Sequence, residues 1–238
     1  MERALLSDQR LADSDVVANR FMNRERQVVG RGNSYEEDLR LNVLDFLASG
    51  LQSRPRVAWL DLCCGTGRAV IEAGRHFQAA GQAERVDLVG VDLAGMFYRT
   101  PPEVTCARLI EASLVDWSPP AGDCYDLVTC VHGLHYIGDK LRVIARAASW
   151  LAEDGLFLAN LDLANLRLAE GGPAGRAVTR ALRAAGLGYD RRRRLVRCEG
   201  RRVVSLPFRY LGADDQAGPN YTRQPAVSAF YTPERAAP

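Results

Sequence analysis

Apolar residues follow two rhythms along this chain. Short near-continuous runs rich in valine and leucine alternate with stretches in which apolar positions recur every three or four residues. The runs at 57–61, Arg85–Val91, Val104–Glu111, Tyr125–Val131 and Leu156–Leu161 predict strands, and the Tyr125 run has the unbroken character of a strand buried on both faces. Helical spacing predicts helices at about 67–80, over Leu141–Leu151, and from Gly171-Gly-Pro173 to about Ala185, with a short one after Leu93 that ends at Pro101-Pro102. Ahead of these, Asn33 or Ser34 can cap a helix. Glu36, Glu37 and Asp38 suit its first turn, and its apolar face runs from Leu39 to Leu47 before Gly50. Near the C-terminus, Leu195–Glu199 and Val203–Leu211, joined by Glu199-Gly-Arg201, predict an antiparallel hairpin.

Strands alternating with helices imply right-handed crossovers, a mostly parallel doubly wound sheet with helices on both faces, and ligands at the carboxyl ends of the strands. The pattern divides the chain into an N-terminal helical cap or lid (1–50), a core (51–211) and a tail (212–238). The tail's Ala226–Tyr231 run has no assignable partner, although Gly212–Tyr221 carries enough polar groups to line a substrate pocket.

Composition narrows the picture. With 47% hydrophobic and 25% charged residues in 238, the chain is neither disordered nor too small for a full core. Its apolar runs fall far short of a membrane span and its N-terminus has no apolar signal region, so the expected location is cytoplasmic. Six cysteines with no C-x-x-C pair, and no histidine at metal spacing, predict buried thiols and no metal site. The net charge is only +2, yet twelve arginines against three acids lie between Arg167 and Arg209. This is either a solvated face or a surface for nucleic acid or an anionic substrate.

The chemistry concentrates where the first strand meets its helix. Asp61-Leu-Cys-Cys-Gly65-Thr-Gly67 is a strand end and a tight glycine turn, which lets a nucleotide-like ligand approach the backbone at a helix start. The dinucleotide pattern G-x-G-x-x-G/A fails at its third position, where Val70 stands, which disfavours a nicotinamide cofactor. Asp61 could reach an amino group or hold the loop.

These residues resemble the first motif of the class I S-adenosylmethionine-dependent methyltransferases. Asp61, Gly65 and Gly67 match it, and Cys63 stands in the place of its first glycine. The likeness extends over about residues 57–161. It implies a Rossmann-like, seven-stranded, mostly parallel sheet ending in an antiparallel hairpin, with S-adenosyl-L-methionine as cofactor. Asp92, with Leu93 after it, stands where the family holds the ribose hydroxyls, and Asp116-Trp117 where it receives adenine. Val131, at the end of the fourth strand, would face the cofactor. His132 beyond it could take a proton as the methyl transfers. His135 and Tyr136 would line the pocket. Tyr35 could close over the methionine end, with Arg31 near its carboxylate.

The expected activity is methylation of an oxygen or nitrogen of a small molecule. The alternatives are an RNA methyltransferase using Arg191–Arg194 and a cofactor-binding protein of the same fold without methyl transfer. Oligomeric state has no sequence signal.

Overall fold

The computed structural model describes residues 4–17 and 25–234. In chain order the elements are α1 (Asp8–Ala12), α2 (Tyr35–Leu39), α3 (Val43–Ser53), β1 (Val57–Leu62), α4 (Arg68–Ala79), β2 (Val86–Asp92), β3 (Ala107–Glu111), β4 (Tyr125–Cys130), α5 (Lys140–Ser149), β5 (Leu151–Asn160), β6 (Leu166–Leu168), α6 (Gly175–Ala184), β7 (Gly188–Asp190), β8 (Leu195–Glu199), β9 (Phe208–Asp214) and β10 (Ser228–Pro233). Seven strands form one sheet in the order β3-β2-β1-β4-β5-β8-β7. β3 through β5 are parallel, while β8 runs antiparallel to both of its neighbours. This is the Rossmann-like doubly wound sheet that the alternation of runs predicts.

Every residue of β4 is buried, as an unbroken apolar run on a central strand requires. One face of the sheet packs α5 and α6 through residues such as Ile144, Ala147, Val178 and Leu182. The other packs α3 and α4 through Leu47, Leu51, Val70 and Phe77. Strand order reverses between β1 and β4, and the carboxyl ends of those strands diverge there into a crevice.

Three predicted elements differ from the structure. No helix follows Leu93, because Gly95 turns the backbone left-handed (φ +58°) and the Tyr98 amide is drawn to the Thr66 carbonyl (2.9 Å). The single N-terminal helix is two. Arg40, at φ +55°, breaks it, and Ser34 and Asn42 cap α2 and α3 separately through the amides of Glu37 and Asp45 (both 3.2 Å).

The hairpin partner of β8 is β7, not the Val203–Leu211 run. After Gly200 the amides of Arg201 and Arg202 bond back to Ala152 and Ala148, and Pro207 has no amide to offer a ladder. The chain resumes as β9 in a second, three-stranded sheet of order β6-β10-β9. The Ala226–Tyr231 run enters the central strand of that sheet, pairing with β6 in parallel and with β9 antiparallel. Leu6 bridges to Ala213, and Leu11 joins Ala213 and Val227 in a small satellite core, so α1 rests on the second sheet.

Candidate active site

The crevice is a cleft with about 1040 Å³ of empty space, the open solvent at its mouth included. Its floor is the turn after β1. Cys63, Gly65 and Gly67 all have left-handed φ (+57°, +61° and +73°). Two of these are glycines that adopt it freely, whereas Cys63 bears a strain of roughly 1–2 kcal/mol. A neighbour makes room for its side chain: a Cβ on Gly133 would overlap the Cys63 Cβ and come within 2.7 Å of its sulfur. A hydrogen bond with Cys130, and then burial, push the Cys63 thiol well above its ordinary pKa, so it fills space as a neutral thiol.

Asp92 ties the turn to the end of β2. Its Oδ2 accepts from the Gly65 amide (3.0 Å) and its Oδ1 from the Ala94 amide (2.9 Å). Asp61 lies beneath the turn, fully buried. Trp59 Nε1, which can only donate, reaches Thr129 Oγ1 (2.9 Å), so the Thr129 hydroxyl must donate onward to Asp61 Oδ1 (2.6 Å). Tyr35 donates to the other oxygen (2.5 Å). Burial drives the Asp61 carboxyl up to about 7 despite both hydrogen bonds.

Over the end of β4, His132 is itself left-handed (φ +57°), with its amide held by Asn160 Oδ1 (3.2 Å). Its Nε2 lies 3.1 Å from Asp38 Oδ1, and its Nδ1 is 3.4 Å from both His135 Nε2 and the Tyr221 hydroxyl. Burial raises Asp38, but hydrogen bonds and charge from His132 and Arg26 outweigh it and hold the carboxyl below its usual value. Burial, reinforced by His132, keeps His135 well below an ordinary histidine and therefore neutral.

A protein-family model described as a methyltransferase domain matches residues 32–199, more than half of the chain. The chain belongs to that methyltransferase family. Its cofactor is S-adenosyl-L-methionine. Three solved structures illustrate what this methyltransferase is similar to. The plantazolicin methyltransferase BpumL in complex with SAH is 15% identical over 49% of this chain and 43% of that one, with a TM-score of 0.39. Coclaurine N-methyltransferase bound to N-methylheliamine and SAH is 11% identical (66% and 46% covered, TM-score 0.40). YjhP from E. coli is 17% identical (72% and 61% covered, TM-score 0.39). The methyltransferase thus spans less than half the length of BpumL. No curated protein matches it.

The cleft suits the cofactor of such a methyltransferase. Gly65 lines the cleft in a left-handed conformation that glycine adopts freely, and the buried hydroxyl of the adjacent Thr66 has no partner among the described residues. Of the residues singled out from the sequence, Tyr35, Cys63, Gly65, Asp92, Leu93, Val131, His132 and Tyr136 line the cleft.

Others lie elsewhere. Asp61 is a buried anchor beneath the wall, and His135 sits behind His132. Gly67 starts α4 and backs onto β3, where a Cβ would come within 2.5 Å of Leu109. Asp116 is exposed, and the Trp117 ring packs edge-on against Trp150 (5.8 Å), leaving Ala112–Val115 as that wall of the cleft. Arg31 is exposed, and among the described residues the cation lining the cleft is Arg26, which pairs with Asp38 (2.9 Å). Arg26, Asp38, Asp8 and Gln224 were not singled out, because nothing in their local sequence marks them. Asp38 reads only as an acid in a helix's first turn. Among the described residues no cluster could hold a metal, and no helix is long and apolar enough to cross a membrane.

Proposed function

We propose that this enzyme transfers the methyl of S-adenosylmethionine to an oxygen or nitrogen of a small molecule, with His132 as general base. The pairing of His132 Nε2 with Asp38 inside the cleft carries the reading. An ionised carboxylate only accepts, so Nε2 holds the proton and the lone pair of a neutral His132 is on Nδ1, the atom able to receive one. Bound S-adenosylmethionine would supply an activated methyl, and alignment can then contribute much of the rate. Gly65, Thr66, Asp92 and the Ala112–Val115 wall would hold it. On this reading the N-terminal segment acts as a lid, with Tyr35 and Arg26 over the turn, and the tail completes the pocket through Gln224.

Formation of S-adenosylhomocysteine across a panel of phenol and amine acceptors tests the proposal. His132→Asn should lower turnover by about 10²–10⁴-fold with S-adenosylhomocysteine affinity retained. A wild-type rate would remove His132 from the chemistry. Tight cofactor binding with no turnover on any acceptor would favour a binding protein of the same fold.

One observation favours a second reading, an RNA acceptor. Arg191, Arg192 and Arg193 are exposed on the β7–β8 turn, and neighbouring Arg194 stacks on Tyr221 (4.3 Å), which touches His132. Methylation of RNA, lost steeply with added salt and on charge reversal at that turn, would establish it.

A further inference from the structure

The cleft has two halves of different chemistry. One is built from the glycine turn, Asp92 and Ala112–Val115. The other lies beyond His132 and is walled by α1, the segment after β4 and the tail: Leu11, Ala12, Val17 and Ile137 supply apolar surface, with Tyr136 and Gln224 at its polar edge. Asp8 is the one charged side chain lining that half among the described residues.

The surroundings of Asp8 fix its role. Gly138 gives it room, since a Cβ there would overlap Asp8 Oδ1 and the Tyr210 oxygen. Tyr210 donates to Oδ1 (2.9 Å), while Oδ2 has no hydrogen-bond donor among the described residues. The nearby cation Lys140 does not line the cleft, and its Nζ turns back to the Ile137 carbonyl (2.5 Å). Among the described residues, an anionic group entering this half would meet a carboxylate and no cation in the lining, Lys140 being buried out of the cleft. An apolar body would be welcome, and a hydrogen-bond donor would find an acceptor set in an apolar wall, where such a contact discriminates strongly.

We infer that this half is the acceptor subsite, and that it takes a small, largely apolar molecule bearing an ammonium or hydroxyl group that Asp8 receives. Asp8 is then a specificity-determining residue, separate from the base at His132. The inference rests on the methyltransferase reading given above.

Three probes of one shape test it on enzyme saturated with S-adenosylhomocysteine: 2-phenylethylamine, 2-phenylethanol and phenylacetate, titrated by ligand-observed NMR. The amine and alcohol should bind and compete with each other, and the acid should bind at least tenfold more weakly. A stronger amine would point to an ammonium-bearing acceptor, a stronger alcohol to a hydroxyl-bearing one. Asp8→Asn should weaken the amine at least fivefold with S-adenosylhomocysteine affinity unchanged.

Tyr210→Phe removes the same hydrogen bond but keeps the carboxylate, so it should retain amine binding. If it loses the amine as fully as Asp8→Asn does, Asp8 merely docks α1 and the inference falls. Equal binding of the acid, or no probe binding beside bound S-adenosylhomocysteine, also overturns it while leaving the methyltransferase reading intact. Failure of S-adenosylhomocysteine itself to bind would overturn the reading beneath it.

Discussion

Replacing Gly133 with alanine tests whether the Cys63 turn and the start of the His132 segment are one packing unit. The added methyl would overlap the Cys63 Cβ and lie 2.7 Å from the Cys63 sulfur and 2.8 Å from that of Cys130. Cys130 is fully buried and cannot give way, though Cys63 borders the cleft, so the strain should be of the usual overpacking size, about 1–3 kcal/mol. Gly133 is not left-handed, so alanine adds no backbone strain and gains back about 0.4–1 kcal/mol by restricting the unfolded chain.

Cys63→Gly relaxes the left-handed residue but leaves a void. In the double variant the new methyl occupies the space the cysteine vacated, so the two changes should couple by about 1–3 kcal/mol. Urea unfolding at constant m, with S-adenosylhomocysteine affinity measured by calorimetry, gives the cycle. Gly133→Ala should be destabilised and should bind the cofactor product more weakly, and Cys63→Gly should restore most of both losses. A Gly133→Ala protein as stable as wild type, or two changes that simply add, would refute the packing argument.

Asp61 should make stability depend on pH. Its folded pKa of about 7 lies above the ordinary 3.8, so the fold binds an extra proton between these values. Its contribution is complete below about pH 4 and falls away as pH rises to about 7, on the order of 4 kcal/mol in all. Asp61→Asn should flatten that slope, and parallel stability curves for the two proteins would contradict the raised pKa. Asp92→Ala leaves the Gly65 and Ala94 amides without their carboxylate and should weaken S-adenosylhomocysteine binding by about 1–3 kcal/mol; unchanged affinity by calorimetry would remove Asp92 from the cofactor site.

Much of the sheet was legible because its central strands are buried on both faces and leave runs such as Tyr125–Cys130. The glycine turn and Asp92 were legible because special backbone and a strand-end acid leave local marks. The partner of β8 was not, since β7 is only three residues long and leaves no strand pattern, whereas the longer Val203–Leu211 run beyond Gly200 reads as the neighbour. Trp117 looked like a wall of the cleft because an aromatic beside an acid suits that role. Only tertiary packing turns its ring to Trp150. The partner of His132 was hidden for a different reason: Asp38 lies 94 residues away in sequence, and Tyr210 meets Asp8 across 202. No pattern of period two or three to four encodes such a meeting.

The bridge between Leu6 and Ala213, two amide–carbonyl bonds of 2.8 and 2.9 Å, bears on how the enzyme comes into being. Synthesis proceeds from the N-terminus, and β1 through β5 can assemble once residues up to 160 have left the ribosome. α1 is made before the core strands, yet its seat on β9 and β10 emerges only after them. A nascent chain halted before β9 would hold the glycine turn, Asp92 and His132 while lacking the platform that carries Asp8 and Leu11 to the cleft. On the reading proposed above, such a chain would hold the groups for its methyl donor before those that select what it methylates.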